Sequence, residues 1–139
     1  MGVFKNRANL LLGVIIALAA ALLFTNLDNH YLWQDEAQTA LIAATVLERG
    51  VPLGYDGKNY FSQEGGAEYG PDYIWKWHPW FPFYYLALFF GLFGVSTFTA
   101  RLPFVLIALL TVVLTYAAGR SLWQCRRAGL SAALLLSCT

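Results

Sequence analysis

Residues 8–27 read ANLLLGVIIALAAALLFTNL, and whether this run crosses a bilayer decides what kind of protein the chain is. About 20 apolar residues at 1.5 Å per residue cover the ~30 Å of a hydrocarbon core. The preceding MGVFKNR is basic, as the start of a secretory leader would be. Two features favour a retained helix. The apolar run exceeds the ~7–15 residues of a leader's hydrophobic region. The following Thr25, Asn26, Leu27 and Asp28 make a poor small-residue cleavage site. Lys5 and Arg7 then place the N-terminus in the cytoplasm by the positive-inside rule, so the segment after Leu27 lies outside.

Composition points the same way. The 139 residues are 58% hydrophobic, 17% aromatic and only 12% charged, a more apolar balance than soluble domains carry. The net charge of +1 conceals an asymmetry. Every acidic residue falls between Asp28 and Asp72, whereas Lys5 and Arg7 precede this acidic stretch and Arg101, Arg120, Arg126 and Arg127 follow it. The basic residues are scattered at the edges of apolar runs and form no nucleic-acid-binding patch. Cys125 and Cys138 have no partner at metal-ligand or disulfide-framework spacing and read as structural.

Three later apolar stretches set the topology. Residues 80–95, WFPFYYLALFFGLFGV, begin with aromatics, follow Pro79 and are interrupted by Pro82, Gly91 and Gly94. The stretch from about Leu102 to Ala118 is cleaner and runs through Gly119 into RSLWQCRR. If both crossed, Arg120, Arg126 and Arg127 would be extracytoplasmic, against the charge rule. If Trp80 to Val95 lies along the outer interface, where Trp and Tyr are favoured, the cationic cluster falls inside, and this reading is preferred. The last stretch, AGLSAALLLSCT, stops part-way across a bilayer, so the chain reads as the N-terminal portion of a longer protein, inactive alone. The expected architecture is an all-α membrane protein. A transmembrane helix occupies about 8–27 and an outer loop 28–101 carries juxtamembrane helices at about 36–49 and 80–95. A second transmembrane helix follows at about 102–119, and a further one begins at 128–139.

Within the outer loop, YLWQDEAQTALIAATVLERG (31–50) places Ala37, Ala40, Leu41, Ala44 and Leu47 at the spacing of one helix face, ended by Gly50 and Pro52. The adjacent Asp35 and Glu36 admit two readings. Asp35 as N-cap with Gln38 three residues later is a capping-box arrangement, and Glu36 in the first turn suits the helix dipole. Alternatively, a carboxylate beside Tyr31 and Trp33 at the mouth of a membrane protein serves as a general base. The following GYDGKNYFSQEGGAEYGPDYIWKW (54–77) is longer than ordinary connections, which favours a functional role. Lys76 and His78 stand where the chain returns to the interface. They either hold a lipid phosphate or, respectively, snorkel and hydrogen-bond among the tryptophans. Arg101, in TARLP, has the same pair of readings, phosphate contact or anchoring at a helix start.

The order of these segments resembles a known family. WQDEAQTALIAATVLERGVP, then HPWFPFYYLALFFGLFGVS, then TARLP, then GRSLW and RRAGLSAALLL together look like the start of the GT-C class membrane glycosyltransferases. The likeness is to the protein O-mannosyltransferases and the lipid A aminoarabinose transferase. The resemblance implies a multi-pass enzyme of the plasma (inner) membrane. Such an enzyme moves a sugar from a polyprenyl-phosphate donor to a lipid or protein acceptor on the extracytoplasmic face, in one inverting step. It implies that the acid pair of the first outer loop holds the catalytic carboxylate, matching Asp35 with Glu36. Lys76, His78, Arg101 and Tyr84 are the matching candidates for substrate binding. The family's motif is closer to HPPLYY, whereas HPWFPFYY is two residues longer between His78 and the Tyr pair. No side chain is assigned to a metal, and a divalent metal stays open as cofactor. A small membrane-anchored binding or assembly protein without catalysis is the alternative. A transporter is disfavoured, because the apolar runs contain no acid.

Overall fold

The computed structural model describes residues 2–25 and 27–138, with side chains from Arg7 onward. The Lys5 side chain, Asn26 and Thr139, which entered the readings of topology and cleavage, lie outside the described residues. The described residues form five α-helices and no named strand: α1 (Gly2–Phe24), α2 (Gln34–Arg49), α3 (Phe81–Phe93), α4 (Thr97–Leu122) and α5 (Arg126–Ser137). They divide into two compact units, one of Met1–Leu27 with Phe104–Thr139 and one of Asp28–Pro103.

In the first unit, Ile15 and Ala19 of α1 meet Val112 and Tyr116 of α4 and Ala133 of α5 in a small core. Glycines let α4 and α5 touch. A Cβ on Gly129 would stand 2.5 Å from the Tyr116 carbonyl oxygen, and one on Gly119 would stand 3.0 Å from the Gly129 Cα. Close backbone approach through small residues is how helices pack where no water drives them together. α1 and α4 are long and apolar enough to cross a membrane, and only 17% and 28% of their apolar spans are buried. Leu10, Val14, Leu110 and Leu114 stay more than half exposed. Water does not tolerate such continuous apolar faces on a soluble monomer, whereas hydrocarbon does.

α4 begins at Thr97, several residues before the apolar run that suggested a helix from about 102. Ser96 is the reason: its Oγ accepts the Thr99 N–H at 3.1 Å and pairs with the Thr99 hydroxyl at 2.9 Å, capping a polar first turn. Pro103 sits inside this helix, where it removes one backbone donor near the N-terminal end.

In the second unit α2 packs on α3. Ala40, Ile42, Ala43 and Val46 face Phe83, Leu86, Ala87 and Phe90, and the loop adds Phe61 and the fully buried Trp75. This corrects the expected apolar face, since Leu41 and Leu47 are 44% and 46% exposed. α2 carries two neighbouring apolar stripes, and α3 and Trp75 cover the one holding Ile42 and Val46. Thr45 secures that orientation: buried, it accepts the Leu53 N–H at 2.9 Å and donates to the Ile42 carbonyl at 2.8 Å. Gly50 ends α2 in the left-handed region at φ 77°, with its N–H on the Val46 carbonyl.

The connection from Val51 to Trp80 has no regular strand but is cross-linked by isolated antiparallel bridges, Leu53 with Ile74, Tyr55 with Tyr60 and Tyr69 with Trp75. Its tyrosines cluster, Tyr55 stacking on Tyr60 at 4.5 Å with Tyr73 beside both.

Candidate active site

The helix that carries the acid pair starts two residues earlier than the capping-box reading placed it. Trp33, with extended backbone, is the N-cap, so Gln34, Asp35 and Glu36 are the first three helical residues. Glu36, in place of Gln38, closes the cap, its Oε2 accepting the Trp33 N–H at 3.0 Å. The two carboxylates thereby take different work.

Glu36 is engaged by Arg101. The guanidinium donates Nη2 to Oε2 at 2.8 Å and Nε to Oε1 at 3.2 Å, while its outer nitrogens reach the carbonyls of His30 and Tyr31 at 3.2 Å. The Arg101 hydrogen bond, aided by the Trp33 N–H and opposed by partial burial, holds the Glu36 carboxyl below its ordinary value of 4.5. Arg101 thus ties the chain before α2, and the first turn of α2, to the start of α4.

Asp35 faces elsewhere. It lines an open cleft of about 380 Å³, shared with Gln38, Gln63, Glu68, His78 and Phe83 among others. One of its oxygens, Oδ1, accepts the Gln63 side-chain amide at 3.1 Å. His78 lies on the same cleft, its ring parallel to the buried Trp75 ring at 6.1 Å between centroids. The structure therefore brings Asp35 and His78 to one cavity, whose wall also includes Trp77, Pro79, Pro82 and Phe83.

The remaining sequence candidates are placed apart from it. Lys76 pairs with Asp72 at 3.9 Å on the surface, both side chains more than half exposed, a contact of little energetic weight. Tyr84 donates its hydroxyl to the Gly50 carbonyl at 2.8 Å, fastening α3 to the end of α2. Arg101 is occupied with Glu36 and does not line the cleft.

Two cleft residues escaped the sequence reading. Glu68 is 1% exposed, an unusual position for a carboxylate. The SQEGGAE segment wraps around it: the Ser62 hydroxyl donates at 2.7 Å, the Gln63 N–H at 2.6 Å and the Glu64 N–H at 2.8 Å. Burial alone would raise the Glu68 carboxyl, but the Ser62 hydroxyl and the surrounding N–H groups outweigh it and bring it down to about 2. Gln63, held by this turn, is the residue that reaches Asp35. The signal for both was the glycine pair inside an acid-bearing loop, which marks a tight turn without saying what it closes on. Among the described residues, no group of three or more His, Cys, Asp and Glu side chains converges as a metal site would require.

Compared with known families, residues 77–139 match the family described as dolichyl-phosphate-mannose-protein mannosyltransferase. The match spans a little under half of the chain and supports the resemblance to GT-C-like mannosyltransferases. It begins at Trp77, includes His78, Tyr84 and Arg101, and leaves Asp35 and Glu36 outside. No curated protein and no solved structure matches the chain. Together with the two uncovered apolar helices, the family match places the chain in a membrane.

Proposed function

We propose that this chain, GT-C-like mannosyltransferase in residues 77–139, carries the base end of a glycosyl transfer site. The site would move a sugar from a polyprenyl-phosphate donor to a lipid or protein acceptor on the extracytoplasmic face. The observation that carries the proposal is the cleft in which Asp35 and His78 meet. In an inverting displacement the acceptor hydroxyl oxygen attacks the anomeric carbon as the bond to the phosphate oxygen breaks. Asp35 takes the acceptor proton, and the polyprenyl phosphate leaves with its negative charge. His78, on the same cleft, is the first candidate for that phosphate, and Lys76, held only by a weak surface pair with Asp72, is the second. Glu36 completes the pair by holding Arg101, which fixes the helix turn on which Asp35 sits.

The topology proposed with it has α1 crossing from a cytoplasmic N-terminus, residues 28–101 outside and α4 returning. α3 supports this, since its 13 residues span about 20 Å, short of the ~30 Å hydrocarbon core. One face of α3 is an aromatic ladder of Phe81, Tyr85, Phe89 and Phe93 with successive rings 5.2–5.9 Å apart, exposed at Phe81 and Phe93 and half-buried between them, suited to lying in the outer interface. The proposal is tested by giving membranes that contain the full-length protein a polyprenyl-phosphate-linked mannose and following the anomeric configuration of the product by NMR. Transfer with inversion is expected. Transfer with retention, or no use of any polyprenyl-phosphate sugar, contradicts it.

A further inference from the structure

Asp35 is an exposed carboxylate on the first turn of a helix, and nothing on its own helix fixes the direction of its oxygens. What does so comes from 28 residues further along, the side-chain amide of Gln63 at 3.1 Å. Gln63 is itself exposed, so its side chain would wander if its backbone did not hold it. Its backbone is held tightly: the Gln63 N–H donates to Glu68 Oε1 at 2.6 Å, and the neighbouring Glu64 N–H donates to the same oxygen at 2.8 Å. The other Glu68 oxygen takes the Ser62 hydroxyl, whose Oγ in turn accepts the Gly66 N–H at 2.6 Å. The Glu68 backbone is anchored as well, its carbonyl accepting the Lys76 N–H at 2.7 Å. A buried, fully accepted carboxylate with no cation beside it is costly to place and contributes no apolar contact. Here it orders the one turn that reaches Asp35.

We infer that Gln63 is a positioning residue for Asp35, orienting the carboxylate across the cleft, and that Glu68 is the latch that holds Gln63 in place. The inference rests on Asp35 being the base of the proposed transfer. An amide donor on Oδ1 leaves the other oxygen of Asp35 to take the acceptor proton. Neither Gln63 nor Glu68 need touch the donor or acceptor. Their removal should therefore lower turnover without changing substrate affinity.

The test uses the full-length protein in detergent or membranes, with a polyprenyl-phosphate mannose as donor. Gln63→Ala should fold normally, because it removes only an exposed side chain, and should lower kcat roughly 10-fold with KM unchanged. Gln63→Glu supplies a readout that a merely structural role would not move. Its carboxyl donates to Asp35 only while protonated, and Asp35 acts as base only while ionised, so the variant's rate should pass through a maximum where the pair shares one proton and fall at higher pH, where the parent protein's rate does not fall. The other titratable groups on this cleft, Glu64, Glu68 and His78, are the same in both proteins and cancel in the comparison. Glu68→Gln should reproduce the Gln63→Ala defect and, by hydrogen exchange, loosen residues 62–68. Asp35→Asn is measured alongside. If Asp35→Asn is inactive while both Gln63 variants keep the parent rate and pH profile, the positioning role is overturned and the base assignment stands. If Asp35→Asn is active, both fall. A rise in KM with kcat unchanged in Gln63→Ala would make Gln63 a substrate contact and overturn the inference.

Discussion

Arg101 and Glu36 are 65 residues apart in sequence and meet in a forked ion pair at 2.8 Å, so removing either should loosen the start of α2 in a measurable way. In Arg101→Met the Glu36 carboxylate loses its charged donors, and the carbonyls of His30 and Tyr31 lose theirs. Hydrogen bonds to a charged group contribute ~1.5–3 kcal/mol. The Glu36 side chain is 44% exposed and Arg101 19%, so water replaces part of each. The ion pair then contributes about 1 kcal/mol and the two carbonyl bonds about another 1 kcal/mol. A local opening made easier by ~2 kcal/mol exchanges amide hydrogens about 30-fold faster. The assay is hydrogen exchange by mass spectrometry over residues 31–40, which contain the Trp33 N–H bonded to Glu36 and the Ala37 N–H bonded to Trp33. Glu36→Gln should give about fivefold, and the double variant less than the product of the two, because the pair is then counted once. The Arg101 hydrogen bond, against partial burial, lowers the folded carboxyl of Glu36. Its contribution is therefore complete above the unfolded value of 4.5 and is lost as pH falls from there through the lower folded value. Protection of 31–40, corrected for intrinsic exchange, should decline over that acidic window in the parent protein and not in Glu36→Gln. Parent-like protection in Arg101→Met, or fully multiplicative effects in the double variant, would refute the reasoning.

Glu68→Gln should destabilise the 62–68 turn. The shift of the folded carboxyl from 4.5 to about 2 sets a ceiling of about 3 kcal/mol, and solvent close to the thin loop brings it to roughly 1–2 kcal/mol. Because the folded value is depressed, this stability is held above pH 4.5 and lost toward pH 2, which limited proteolysis within 62–68 against pH would follow. Gly129→Ala pushes a Cβ to within 2.5 Å of the Tyr116 carbonyl and should cost about 1–3 kcal/mol, read as a lower thermal midpoint in detergent. In a background with Cys125 and Cys138 replaced by Ser, Ser121→Cys should react with impermeant thiol reagent only from the cytoplasmic face. Reaction only from the outer face would mean that α3 crosses the membrane.

What the sequence made legible was what length and local pattern encode. The run from Ala8 identified α1, the Gly50 and Pro52 stop ended α2, and the prolines and aromatics at 79–82 marked the start of α3. The burial of α2 was not legible, because its Leu41 and Ile42 stripes are equally apolar and only α3 decides between them. The cap lies two residues from where composition places it for a similar reason: an aspartate is the better N-cap by composition, yet Glu36, held by Arg101, takes the Trp33 N–H and starts the helix there. Arg101 was noticed as a cation and Glu36 as an acid, but a partnership across 65 residues leaves no mark in either neighbourhood. The cleft was half legible. Asp35 and His78 carried chemical residue types in ordered motifs, whereas Gln63 and Glu68 matter through a turn whose closure depends on Trp75 and Lys76. Of the other candidates near His78, Tyr84 is committed to the Gly50 carbonyl, and Lys76 makes only a weak surface pair with Asp72.

The central claim is that Asp35 supplies the base of a glycosyl transfer, and turnover of Asp35→Asn in the full-length protein tests it most directly. Trp33 and Glu36 make the helix cap, so the substitution leaves the start of α2 intact, and the amide can still accept from Gln63. It removes only the basicity. The account predicts a folded protein, with parent-like thermal stability and donor affinity, whose turnover falls roughly 100-fold or more, the scale that general-base catalysis supplies. A folded Asp35→Asn protein with near-parent turnover would contradict it.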